Sequence, residues 1–161
     1  MLDASQVGRG AHASGVLIAS RYPLNEHARV SFSVPSWEEQ VLSRLVETPI
    51  GELVIHNVHM PNGSDNGWAK VEVLEAVYAG LSGLNWNRHT LLCGDFNTPQ
   101  CELHSGQIVT WAQEMDEASG RVRLERRIAG GSGLRWDTAE RNILSGLQVF
   151  GLRDAFRNLH G

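Results

Sequence analysis

The chain has 161 residues, of which 42% are hydrophobic and 20% charged, and a formal net charge of −4. That length suffices for one domain, taken as residues 1–161, with a real core, and does not demand two. No stretch approaches the roughly 18 consecutive apolar residues of a membrane helix, the opening Met1-Leu2-Asp3-Ala4-Ser5-Gln6 lacks the basic-then-apolar order of a signal peptide, and a cytoplasmic location is expected.

In chain order, the apolar run from Gly15 to Ser20 predicts a short strand, and Val30, Phe32 and Val34 alternate with Arg29, Ser31 and Ser33 at the period of a half-buried one. Val41 to Glu47 and Glu52 to His59 flank Thr48-Pro49-Ile50-Gly51, which predicts an antiparallel hairpin. From Trp68 to about Leu84, Val71, Leu74, Tyr78 and Leu81 recur at helical steps, giving an amphipathic helix that should pack on a sheet. Thr90 to Gly94 reads as a buried strand, and Gln100 to Gly133, without a clean period, as a long functional loop. Asp137-Thr138-Ala139-Glu140 has capping-box spacing ahead of a helix face made by Ile143, Leu144, Leu147 and Phe150 that stops at Gly151. Strands followed by helix, strand and helix imply an α+β or α/β architecture with helices packed on a sheet.

Two strand ends carry chemistry. Leu91-Leu92-Cys93-Gly94-Asp95-Phe96-Asn97-Thr98-Pro99 runs from an apolar strand into a Pro-stopped loop, and on an extended segment Asp95 and Asn97 would point the same way. Leu53-Val54-Ile55-His56-Asn57-Val58-His59-Met60-Pro61-Asn62 is built alike, with His59 and Asn62 at its end. His56, three residues before His59, should face the opposite side and be structural. His12, His27, His89 and His104 have no motif around them, and Trp68, Trp86, Trp111 and Trp136 are read as core residues. The two cysteines, Cys93 and Cys101, lack zinc spacing. Cys93 is expected in a buried strand, with no disulfide between the two.

The order Asn-Val-His-Met-Pro-Asn, helix, Leu-Leu-Cys-Gly-Asp-Phe-Asn resembles the endonuclease/exonuclease/phosphatase family. Ala13-Ser14-Gly15-Val16-Leu17-Ile18-Ala19-Ser20-Arg21-Tyr22-Pro23 and Gly151-Leu152-Arg153-Asp154-Ala155-Phe156-Arg157 look like its non-catalytic landmarks. The resemblance implies a DNase-I-like two-sheet β-sandwich with flanking helices and a metal-dependent phosphoesterase that uses Mg²⁺ or Mn²⁺. It also implies that Asp95 and Asn97 act on the nucleophile and phosphate, in some members with a second metal, and that His59 occupies a catalytic position.

The residue chemistry agrees. A carboxylate at Asp95 can orient or deprotonate water beside a cation, and an amide at Asn97 can hold water or a phosphate oxygen without adding negative charge. His59 can donate to a phosphate oxygen or the leaving group, and Asn62 can contact phosphate from the loop. The partner expected is a phosphate ester, with nucleic acid first. The acidic balance mildly favours a small or lipid substrate, since polyanion partners recruit basic faces. Arg121, Arg123, Arg126, Arg127 and Arg135, interleaved with Glu125, read as a solvated face.

The Asn and Glu strands that open the family pattern and its closing Asp-His pair have no counterpart here, and Glu26, Glu38 and Glu39 lie in loop-like positions. The chain is therefore expected to be the central part of a family domain that by itself binds metal weakly and turns over little. A non-catalytic remnant or interaction module is the reading of another class.

Overall fold

The structure is a computed structural model that describes residues 2–4, 15–26, 41–84, 88–116, 118–125 and 127–160. The alternation at Val30, Phe32 and Val34 lies outside the described residues, as do His12, His27, Trp86, Arg126, Glu38 and Glu39. The chain forms two compact units, residues 1–97 and 98–161.

In the first unit, β1 (Leu2–Ala4) pairs antiparallel with β2 (Leu17–Ala19), and β3 (Leu24–Glu26), β4 (Val41–Thr48), β5 (Gly51–His59) and β6 (His89–Asp95) form a four-stranded sheet in that order. Glu26 thus lies in a strand and not in a loop. The expected hairpin is present: β4 and β5 pair antiparallel from Val41↔Val58 to Thr48↔Gly51. After α1 (Gly63–Asn66) and α2 (Trp68–Ser82), β6 returns parallel to β5, from Leu53↔His89 to His59↔Asp95. A parallel pair needs such a crossover, and a helix supplies it.

The two faces of β5 differ in burial because side chains alternate. Val54, His56 and Val58 are buried on one face, where His56 Nδ1 meets Ser43 Oγ at 2.8 Å. On the other, Leu53 and Ile55 pack against a cluster of Val16, Ile18, Leu24, Leu42 and Val46. His59 continues this second row to the strand end, beyond the last of its apolar residues. The amphipathic reading of α2 holds for Val71, Leu74 and Leu81, which are buried, while Tyr78 is half-buried; Lys70, Val73 and Val77 complete the buried stripe.

β6 is not the buried strand expected from its apolar run. Among the described residues it lies at the edge of the sheet, its residues are half-buried or exposed, Leu91 is 43% exposed and Cys93 half-buried. An edge strand has a neighbour on one side only, so apolar content alone does not bury it.

In the second unit the expected long loop is a series of short antiparallel pairs. β7 (Cys101–Glu102) pairs with β8 (Ile108–Val109), β9 (Gln113–Met115) with β10 (Val122–Leu124), and β11 (Arg127–Ile128) with β12 (Gly131–Ser132). Two or three residues are too few to show a period. Arg121, Arg123, Arg127 and Arg135 are exposed, as a solvated face requires, and so is Trp111, which is 48% exposed and not a core residue. Helix α3 (Gly133–Leu144) starts four residues before the expected capping box, with Ser132 as N-cap making no side-chain hydrogen bond. Asp137 and Glu140 instead work from within the helix. Asp137 accepts from Thr110 Oγ1 at 2.7 Å and from Arg141, and buried Glu140 accepts from Trp111 N–H at 3.0 Å and Trp136 Nε1–H at 2.9 Å. A 3₁₀ helix, Gly146–Phe150, ends at Gly151, and Asp154 caps α4 (Ala155–His160) through the Arg157 N–H, which holds its carboxyl below the usual range. No helix among the described residues is long and apolar enough to cross a membrane.

Gly94 has φ +133°, and a Cβ there would stand 1.8 Å from the Val58 carbonyl oxygen. Gly94→Ala is therefore expected to cost about 2 kcal/mol or more, read as a lower urea midpoint at unchanged slope. A wild-type midpoint would mean that β5 and β6 are not packed this closely.

Candidate active site

The parallel ladder makes His59 and Asp95 partners on its last rung. Adjacent strands lie roughly 4.8 Å apart, and paired residues of a parallel ladder leave the sheet on one face. His59 and Asp95 are therefore adjacent in backbone register at the strand ends, one on each strand. His59 is half-buried and Asp95 exposed, so solvent can reach both.

Asn97 joins them by a different route from the one expected. The extended segment stops at Asp95, and Asn97 has φ +49°, so alternation does not align the two side chains. They are linked by an Asx-type turn, in which Asp95 Oδ1 accepts the Asn97 N–H at 2.9 Å. Asparagine tolerates the left-handed region better than most residues, which suits it to this position. Its side chain is also tethered, because Nδ2 donates to the Met60 carbonyl at 2.9 Å. Met60 N–H in turn donates to the Asp95 carbonyl at 2.8 Å, carrying the ladder one bond past the strands.

Asn62 lies three residues beyond His59 at the head of α1, and its side chain has a structural task. Its Oδ1 accepts from Ser64 N–H at 3.0 Å and Ser64 Oγ at 2.9 Å, capping the short helix. The structure thus links His59, Asp95 and Asn97 through one network of backbone and side-chain hydrogen bonds and sets Asn62 on the adjoining loop. The Cys93 thiol, two residues before Asp95, is pushed up by burial, and both cysteines are free.

Sequence reasoning passed over Lys70. Its side chain is fully buried, and Nζ donates to the Asn97 carbonyl at 2.8 Å. The signal was its place in the stripe Lys70, Leu74, Val77, Leu81, where a charge interrupts an otherwise apolar row.

Among the described residues no group of three or more His, Cys, Asp or Glu side chains could enclose a metal ion. The rim offers one carboxylate and amide oxygens. Such hard donors suit Mg²⁺ or Mn²⁺ held largely by water and substrate phosphate, and not a cation needing an all-protein cage.

A family model described as the Endonuclease/Exonuclease/phosphatase family matches residues 3–142. The chain belongs to that family. Its members are hydrolases acting on phosphate esters, and the mixed α+β architecture agrees with the DNase-I-like fold. No curated protein and no solved structure matches the chain.

The turn's demands on position 97 are separable. Asn97→Gly should lose the Met60 bond yet keep the left-handed backbone, whereas Asn97→Ala should lose both and be the less stable by about 1 kcal/mol. Paired thermal melts check this order; equal melting points for the two variants would contradict the strained turn.

Proposed function

We propose that this chain carries part of the catalytic centre of a metal-dependent phosphodiester hydrolase, with nuclease as the first assignment. The observation that supports the reading most is the pairing of His59 with Asp95 on the last rung of the β5–β6 ladder, with Asn97 held to Asp95 by the turn. An acid, an amide and an imidazole are the groups needed to direct a water, hold a phosphoryl oxygen and donate to the leaving oxygen.

In this reading Asp95 orients the attacking water and accepts its proton. Asn97 steadies that water or a phosphate oxygen while leaving the local charge unchanged. His59 donates a hydrogen bond to a phosphate or departing oxygen, and Asn62 contacts phosphate from the loop. Asp95 and Asn97 would also hold Mg²⁺ or Mn²⁺, which when bound neutralises charge on the phosphoryl group.

Two arms test the proposal. With Mg²⁺, Asp95→Asn should lower turnover by about 10²-fold or more with little change in melting temperature, because a pre-aligned acid is lost from the transition state. Near-normal turnover in that variant would remove Asp95 from the chemistry. A panel of abasic DNA, single-stranded DNA, inositol phosphates and sphingomyelin assigns the ester: cleavage of DNA alone supports the nuclease, selective cleavage of an inositol phosphate or sphingomyelin replaces it with a phosphatase or lipid phosphodiesterase, and no turnover together with no Mn²⁺ binding at the strand ends favours an interaction module.

A further inference from the structure

We infer that Lys70 is a positioning residue for the Asp95–Asn97 turn, acting through the Asn97 carbonyl and not by touching substrate. The inference rests on the phosphodiesterase reading for its effect on turnover, but its structural basis is independent of it.

Lys70 is the sole lysine of the chain, and its side chain has no exposed surface. It is the third residue of α2. Both features work against it there. Burying an ammonium forfeits its hydration, and a cation in the first helical turn opposes the positive end of the helix dipole. Its neighbours in the stripe, Leu74, Val77 and Leu81, are all buried and apolar.

What the lysine secures lies outside the helix. Its Nζ–H donates to the Asn97 carbonyl at 2.8 Å across 27 residues of sequence. With that bond, three polar groups of Asn97 are held from three directions: N–H by the Asp95 carboxylate, Nδ2 by the Met60 carbonyl, and C=O by Lys70. A non-glycine residue at φ +49° is strained and keeps that conformation only where its surroundings over-determine it. Without the lysine, the Asn97 peptide can relax toward negative φ. That rotation swings the side-chain amide and loosens the grip on Asp95 Oδ1. Misplacing a catalytic group by about 1 Å can cost 10²-fold in rate, so a helix residue outside the reacting centre would set kcat through the turn.

Lys70→Met removes the charge and the donor while conserving much of the volume, and Lys70→Arg restores both. The full chain is assayed in two ways: amide exchange at Asn97 by NMR, and hydrolysis of bis(p-nitrophenyl) phosphate with Mg²⁺. Lys70→Met should speed Asn97 exchange about ten-fold relative to the β4–β5 hairpin amides. It should lower kcat by about 10²-fold with KM within about two-fold, and Lys70→Arg should recover part of both losses. Unchanged exchange at Asn97, or exchange accelerated equally in the hairpin, would overturn the inference. So would a KM rise at constant kcat. If the wild-type chain shows no turnover, the failure lies with the phosphodiesterase reading or with weak metal binding by this chain, and Asn97 exchange alone judges the positioning. Should Lys70→Met not fold, Lys70→Gln, which keeps a shorter neutral donor, replaces it in the same comparison.

Discussion

The β5–β6 ladder does not end where its strands do. Met60 N–H donates to the Asp95 carbonyl, and the Asn97 side-chain Nδ2 donates to the Met60 carbonyl, so the hydrogen-bonded pairing runs on into a turn built from site residues. Everything proposed for the chemistry depends on this continuation. It keeps His59 and Asp95 in register, and it converts a loop into an extension of the sheet. Gly94 is part of the same constraint, since only a residue without a Cβ can lie against Val58 at that point. Sites set on strands are more closely held than sites on unsupported loops.

Buried polar side chains mark where each unit departs from apolar packing. In the first unit, Lys70 reaches the Asn97 carbonyl and His56 meets Ser43 between adjacent strands. In the second, Glu140 gathers the Trp111 N–H and the Trp136 indole, and Asp137 takes the Thr110 hydroxyl. A buried donor or acceptor left without its partner costs roughly 1–3 kcal/mol. Each of these groups therefore specifies one arrangement of the segments it joins, beyond what packing of valines and leucines would select. For Glu140 the consequence is the docking of α3 on the segment after β8; for Lys70 it is the shape of the turn.

The readable parts of the sequence were those with a period or a local signal. The β4–β5 hairpin shows two strand-like runs flanking a Pro and Gly turn, and α2 shows its stripe. The two strand-end motifs gave the family. Much of the second unit was illegible because its strands are two or three residues long, shorter than any period they could display. Asp137 and Glu140 carry capping-box spacing, but both are engaged by Thr110 and Trp111, some 27 to 29 residues away, which no local rule detects. Asp95 and Asn97 were expected to align their side chains through strand geometry; the structure instead joins the Asp95 carboxylate to the Asn97 backbone N–H in an Asx-type turn. Lys70 stood out only as a charge in an apolar row. Its meaning needed the position of Asn97.

The central claim is that a cation and a phosphate ester are handled where β5 and β6 end. Paramagnetic broadening by Mn²⁺ in ¹H–¹⁵N spectra tests it most directly, because the effect is steep in distance and detects weak binding. The account predicts that the first signals lost on titration are those of His59, Asp95 and Asn97, and that excess Mg²⁺ restores them. Broadening centred instead on the exposed carboxylates of the second unit, such as Glu114 and Asp116, with the strand-end signals intact, would contradict it.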